Sequence, residues 1–386
     1  MAPAVPAATP VGLRVMLVDD SAVVRRALGD VVRRQPDLVL AGTASNGEEA
    51  LGLVDELEPD VVVLDVEMPV LDGIGTLKRL KQDHPKLPVI MFSTLTERGA
   101  AATVDALAAG ADDYLTKPTA IAGPGLGFEA VVEKMLPLLR MWGSISRQRR
   151  HRVVQPPAQP RPPRRTEGGA GRSRAQAVAA VIVGSSTGGP NALSVLVPAL
   201  PAGLRVPVLV VQHMPPTFTK LLADRLDRSS SLTVREVAGP GPLEPGCVYL
   251  APGGMHLVVK GTVAAPRAEL DDGPPENSCK PAVDVLMRSA AALWAGGALG
   301  VVLTGMGQDG LAGSDAIVSA GGRVVVQDEA TSVVWGMPGA VARAGLADEV
   351  LPLAEIAANV LRRVGAANEV EQSAAMPPRP AWAVAR

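Results

Sequence analysis

Short apolar runs rich in Val, Ile and Leu alternate with Ala/Leu/Glu-rich amphipathic stretches along most of this chain. That alternation limits the possible fold more than any other feature. The runs "RVMLV" (14–18), "LVLAG" (38–42), "VVVLD" (61–65), "PVIMF" (88–92) and "DYLTK" (113–117) are separated by stretches such as 45–57 and 98–109. A second set follows residue 176: "AVAAVIVG" (177–184), "VPVLVVQ" (206–212), "LGVVLTG" (299–305) and "GRVVVQ" (322–327). Continuous β-branched runs suit strands buried on both faces, as in parallel sheets covered by helices. The pattern predicts two doubly wound parallel-sheet α/β domains, in which ligands bind outside the C-terminal ends of the strands. Polar residues that directly follow an apolar run are therefore the first candidates for chemistry.

The two sets are parted by "RQRRHRVVQPPAQPRPPRRTEGGAGRSR" (147–174), which holds nine Arg, five Pro and one acid. Such a stretch cannot bury a core and reads as a disordered linker, assigned to 142–176. The domains are then placed at 12–135 and 177–366, with a flexible tail at 367–386. Removing nine Arg and one Glu from 37 basic and 39 acidic residues leaves 28 against 38, so the folded parts are acidic. With 2% aromatic residues and no helix-turn-helix beside the Arg tract, a nucleic-acid partner is not expected. Two cysteines, Cys247 and Cys279, are too few for a disulfide framework or a zinc site and read as buried or incidental thiols. The N-terminal "MAPAVPAATPVG" lacks a basic n-region, and no apolar run approaches the ~20 residues of a membrane span. A cytoplasmic protein without membrane insertion is expected.

In the first half, Asp19 and Asp20 follow one run, Asp65 ends another, Ser93 follows a third, and Lys117 lies beyond a fourth. Three carboxylates at one sheet edge repel one another unless a hard cation sits among them, and Mg²⁺ suits oxygen ligands of this kind. A lysine and a hydroxyl nearby would bind a phosphoryl group. "LVDDS", "LDVEMPVLDG", "MFST" and "TKP", in this order and spacing, resemble the receiver domain of two-component response regulators over about residues 12–130. The resemblance implies a flavodoxin-like fold, with Asp65 accepting a phosphoryl group from a histidine kinase. Asp19, Asp20 and Asp65 would hold Mg²⁺, Ser93 and Lys117 would read the phosphoryl oxygens, and Tyr114 would be a switch aromatic.

In the second half, Ser185, Ser186 and Thr187 follow one run, His213 another, and "MGQDG" with Asp309 a third. A serine becomes a useful nucleophile when an imidazole takes its proton and a carboxylate fixes the imidazole. His256, near a turn in "APGGMHLVV", could shape a pocket or be structural. Pro190 suits a helix's first turn, so N–H groups before it would form an oxyanion hole or a phosphate site. The P-loop lysine is missing, and Gly184, Ser186 and Gly188 match G-x-S-x-G without the downstream Asp-then-His order.

"GSSTGGP", "QHMPPTFTKLLADRLD", "VYLAPGGMH", "PAVDVLM", "LTGMGQDGLAG" and "VWGMP" resemble the catalytic domain of the chemotaxis protein-glutamate methylesterases of the CheB family, over about residues 177–365. The resemblance implies a Rossmann-like domain with Ser186 as nucleophile, His213 as general base and Asp309 as its orienter. N–H groups near Ser186 and Thr187, with Gly188, would line the oxyanion site, and Met306 would pack beside the imidazole. Ser185 and Gln308 stand where the family usually has Ala and Asn. The implied activity is demethylation of glutamate methyl esters, with deamidation of glutamines, on methyl-accepting chemotaxis receptors. Phosphorylation by the chemotaxis histidine kinase would uncover the site. The same chemistry in a non-motility pathway, or a non-enzymatic adaptor, are the alternatives; a DNA-binding output would instead be helical and basic.

Overall fold

The computed structural model describes residues 12–94, 96–117, 126–151 and 177–375, in two compact units. The first unit alternates β1 (Leu13–Val18), α1 (Ala22–Arg33), β2 (Leu38–Ala44), α2 (Gly47–Leu57), β3 (Val61–Asp65), α3 (Gly73–Asp83), β4 (Val89–Ser93), α4 (Glu97–Ala108), β5 (Asp113–Thr116) and α5 (Leu126–His151). All strand pairs are parallel, in the order β2-β1-β3-β4-β5. Every residue of β3 and β4 is buried, because helices cover both faces; hence the continuous apolar runs. The strand order reverses between β1 and β3, and the crevice at such a point is where ligands bind. Asp19 follows β1 and Asp65 ends β3.

Helix α5 corrects the domain boundaries. It runs through residues 142–151, which composition assigned to the linker. Met135, Leu139, Trp142 and Ser146 recur at helical spacing and are all buried. Arg147 and Arg150 then pair with Asp60, itself buried. An arginine-rich segment can thus be helix when its stripe has a core to cover and its charges a buried carboxylate. The remaining expected linker, 152–176, lies outside the described residues.

The second unit contains β6 (Ala180–Ser185), α6 (Gly189–Leu196), β7 (Val208–Gln212), α7 (Pro216–Ser229), β8 (Thr233–Glu236), β9 (Gly241–Pro242), β10 (Cys247–Leu250), β11 (His256–Thr262), β12 (Ala265–Asp271) and α8 (Val283–Trp294). It continues with β13 (Ala298–Val302), α9 (Leu311–Ser319), β14 (Arg323–Gln327), α10 (Met337–Arg343), β15 (Glu349–Leu351) and α11 (Leu353–Ala375). Seven strands form one parallel sheet in the order β15-β14-β13-β6-β7-β10-β8. A separate antiparallel sheet, β11-β12-β9, was not anticipated from sequence; β11 is buried only over its first four residues and β12 is mostly exposed or half-buried, so neither reads as a long apolar run. Helix α11 continues through residues 367–375 of the expected tail, where Ala, Glu and Gln favour helix. Residues 376–386 lie outside the described residues. Among the described residues no helix is long and apolar enough to cross a membrane.

The parallel sheet reverses its order at β6, with β7 on one side and β13 on the other. Gly184, in β6, lets the start of α8 approach this rim: a Cβ there would lie 2.4 Å from Val283 Cγ1. The ends of β6, β7 and β13 and the start of α8 therefore meet at one place.

Candidate active site and phosphoacceptor site

Sequence offered two adjacent serines at the end of β6, and the structure separates them. Ser185 is fully buried, and its Oγ donates to Gln212 Oε1 at 2.7 Å. Ser186 is one residue further and partly exposed at the rim. Its backbone is clamped from both neighbouring strands: the Ser186 N–H donates to Thr304 O beyond β13 (3.0 Å), and Gln212 Nε2 donates to Ser186 O (2.9 Å). The Ser186 N–H is thus already used and is corrected out of the expected oxyanion donors. The N–H groups of Thr187 and Gly188 have no partner among the described residues and precede α6. Gly188 caps α6 at φ 75°, a left-handed conformation that favours glycine, with Pro190 in the first turn.

His213 follows β7, and its N–H donates to Ser185 O. His213 Nε2 lies 2.8 Å from Asp309 Oδ2. Asp309, buried in the loop before α9, is held by an unusual number of donors. The Val283 N–H reaches Oδ2 at 2.7 Å; the Asp284 and Gly310 N–H groups reach Oδ1, each at 3.0 Å. Two of these belong to the first turn of α8, whose own N-cap, Ala282, supplies no side chain. Asp309 therefore caps α8 from outside it, and the helix dipole favours its negative charge. Burial opposes that charge, but His213 and these donors outweigh it and hold the Asp309 pKa below the usual range. For His213, burial pulls the pKa down, yet the hydrogen bond it donates to the Asp309 carboxylate outweighs that and leaves it raised to about 9.

With Nε2–H donating to Asp309, the proton-accepting nitrogen of neutral His213 is Nδ1. That nitrogen faces Cys279 Sγ at 3.4 Å, and no hydrogen bond joins it to Ser186 among the described residues. Cys279 was read from sequence as incidental; its place beside His213 corrects that reading. Sequence also missed Asn277, whose Nδ2 donates to Asp309 Oδ1 (3.1 Å) and to Asp284 Oδ2 (2.9 Å). Burial and the neighbouring Asp309 charge raise the pKa of Asp284. The signal for both lay in "ENSCKP", a turn-like stretch with no apolar run before it. His256 is 1% exposed and structural: its Nδ1 accepts from the Ala282 N–H and its Nε2–H donates to Pro274 O. Met306, expected to pack beside the imidazole, is 42% exposed at the rim, and Gln308 is exposed beside it.

At the rim of the first unit, the ligand atoms of Asp19, Asp20 and Asp65 all lie within 4.8 Å of one another. Lys117 Nζ pairs with Asp19 Oδ2 at 2.9 Å and with Asp65 Oδ2 at 2.8 Å. Asp19 Oδ2 is buried and, despite that ion pair, takes no hydrogen bond of proper geometry. An orphaned buried carboxylate oxygen beside two further carboxylates is a donor set that fits a hard divalent cation. Burial raises the Asp65 pKa to about 6 against the opposing pull of Lys117. For Lys117 itself burial lowers the pKa, but its two carboxylate partners outweigh that and leave it raised. Ser93 is buried with its Oγ donating to Gly99 O at 2.9 Å, so its hydroxyl is turned to the start of α4. Tyr114 lies half-buried in β5, three residues before Lys117.

Residues 181–360 match the CheB methylesterase family, and residues 15–122 match the response regulator receiver domain family. A protein-glutamate methylesterase/protein-glutamine glutaminase of Nocardioides sp. is 48% identical over 358 residues, covering 92% of this chain and 96% of that protein. The enzyme of the same description from Trichodesmium erythraeum is 43% identical over 358 residues, covering 91% of this chain and 99% of that protein. The crystal structure of the Thermotoga maritima CheB methylesterase catalytic domain is 42% identical over 48% of this chain and 98% of its own, with a TM-score of 0.47. The chain belongs to the CheB family of protein-glutamate methylesterase/protein-glutamine glutaminases, hydrolases that here carry a response regulator receiver domain ahead of the esterase domain.

Proposed function

We propose that Ser186, His213 and Asp309 form the catalytic triad of an esterase that hydrolyses γ-glutamyl methyl esters on methyl-accepting chemotaxis receptors. The observation that carries this reading is the 2.8 Å His213–Asp309 pair at the end of β7, beside a partly exposed Ser186 at the end of the neighbouring β6. Ser186 Oγ attacks the ester carbonyl while His213 Nδ1 takes the hydroxyl proton. Asp309 holds the ring through Nε2 and stabilises the imidazolium. The tetrahedral oxyanion accepts from the N–H groups of Thr187 and Gly188, at the positive end of α6. The proton on Nδ1 leaves with methanol, and water then hydrolyses the acyl-enzyme by the same steps in reverse. A glutamine side chain attacked in this way releases ammonia, so deamidation shares the site. Met306 at the rim would flank the reacting carbonyl.

In the receiver domain, an Asp65 carboxylate oxygen takes the phosphoryl group from a phosphohistidine of the chemotaxis kinase. Asp19, Asp20 and Asp65 would hold Mg²⁺, which when bound offsets the charge of the phosphoryl group. Lys117 pairs with a phosphoryl oxygen. Ser93 turns its hydroxyl from Gly99 O toward another, and Tyr114 responds to that turn. Phosphorylation at Asp65 raises the esterase rate.

The test is to mix methyl-labelled receptor membranes with the full-length protein, with and without a small-molecule phosphodonor, and to count released methanol. Release that the phosphodonor increases is the expected result. Absence of release in both conditions overturns the esterase reading; release that the phosphodonor leaves unchanged overturns the receiver-control part alone.

A further inference from the structure

The reaction just described needs Nδ1 of His213 free to face Ser186, yet a thiol occupies it. Cys279 ends a four-residue turn, Glu276–Cys279, closed by two backbone hydrogen bonds of 3.1 and 2.9 Å. Asn277 and Ser278 take φ of 52° and 60°, the left-handed pair expected of a tight type I′ turn. Arg288 on α8 grips Glu276 with two hydrogen bonds, of 2.7 and 2.5 Å. His256 bonds to Pro274 on one side of the turn and to Ala282 on the other. The turn is therefore fixed from α8 and from β11, and it grips the His213–Asp309 pair at both ends. Asn277 holds the outer oxygen of Asp309, and Cys279 holds the outer nitrogen of His213.

We propose that Cys279 is a positioning residue of the esterase, which in the resting state occupies the proton-accepting nitrogen of His213 and yields that place to the Ser186 hydroxyl when substrate enters. The inference rests on the esterase reading above and deepens it. An S–H is a weak donor, so it fixes the ring orientation while costing little to displace. A hydroxyl is the stronger donor to an imidazole nitrogen, so the exchange favours Ser186 once a substrate carbonyl orients it. Protons balance in each state. In the resting state the S–H donates to Nδ1 and His213 is neutral. Cys279 thus sets the pH at which His213 becomes available.

Several charged groups bear on His213: Asp309 before α9, Asp284 and Arg288 on α8, Glu276 and Cys279 in the turn, and His256 at the start of β11. The Arg288–Glu276 pair is internally neutralised, and Asn277 links Asp284 to Asp309. Replacing Cys279 changes only the one of these that touches Nδ1.

The experiment follows the ring resonances of His213 by NMR across pH in the full-length protein, assigned with His213→Gln. Wild type, Cys279→Ala and Cys279→Ser are compared, and the same three proteins are assayed for methanol release across pH. In Cys279→Ala, which removes the donor to neutral Nδ1, the His213 midpoint is expected to rise on the order of one pH unit, and the acid limb of kcat/KM to move with it. Cys279→Ser, which keeps a small donor, is expected to lie between. A midpoint and an acid limb that stay in place in both variants overturn the proposal. The NMR titration needs no substrate. A wild type that releases no methanol while the midpoint shifts retires the esterase reading and leaves the Cys279–His213 contact standing.

Discussion

His213 shows most directly how single residues set the behaviour of the site. Its pKa is raised to about 9, and a general base must be neutral to accept a proton. The value of kcat/KM for methanol release should therefore climb as pH rises from the ordinary histidine value of 6.5 and level off near 9; a flat profile over that interval contradicts the assignment. The same raised pKa has a stability counterpart. A group protonated more readily when folded stabilises the fold fully below its unfolded pKa, and that contribution is lost as pH rises through its folded pKa. Asp309→Asn should remove this component, seen as a urea midpoint that no longer falls between pH 6.5 and about 9. Ser186, His213, Asp309 and Asp65 could be singled out from sequence because Ser186 and His213 directly follow buried strands, Asp65 ends one, and Asp309 lies in the loop between β13 and α9. Cys279, Asn277 and Asp284 were not. They reach the site through a turn and a helix start, whose direction depends on a packing contact between Gly184 and Val283 that no local pattern announces.

At the scale of elements, helix starts organise the rim. The first turn of α8 is capped by Asp309, and the turn before α6 offers the Thr187 and Gly188 N–H groups. Gly188→Ala tests the second device. Its left-handed φ costs a non-glycine residue about 1–2 kcal/mol, and an added Cβ would lie 2.6 Å from Val333 Cγ2. The variant should unfold at lower urea and lose methanol release by at least about tenfold, equivalent to about 1.4 kcal/mol of barrier; wild-type rates in a folded Gly188→Ala protein contradict the oxyanion assignment. The parallel strands were legible because burial on both faces makes them continuously apolar. Helix α5 beyond residue 142 was not, because an arginine count hides a helical stripe that ends in Trp142 and Ser146. The β11-β12-β9 sheet was missed for the opposite reason, as only Leu257–Val259 of β11 forms an apolar run and β12 is mostly exposed or half-buried.

At the scale of the whole molecule, the proposed function couples a phosphoacceptor in one unit to an esterase in the other. On the proposed receiver chemistry, the cluster of Asp19, Asp20 and Asp65 would make phosphorylation depend on a divalent cation. Chelation with EDTA should abolish the phosphodonor's stimulation of methanol release and leave the unstimulated rate in place. Asp65→Ala should lose the stimulation even with Mg²⁺ present. Stimulation that survives either treatment contradicts the assignment of the acidic cluster. The central claim, that Ser186 is the nucleophile and Ser185 a buried support, is tested most directly by methanol release from methyl-labelled receptors in the two single alanine variants. Ser186→Ala is expected to lower the rate by roughly a thousandfold or more, while Ser185→Ala, which loses only its buried hydrogen bond to Gln212, retains measurable turnover. Undiminished release from Ser186→Ala, or loss confined to Ser185→Ala, would contradict the account.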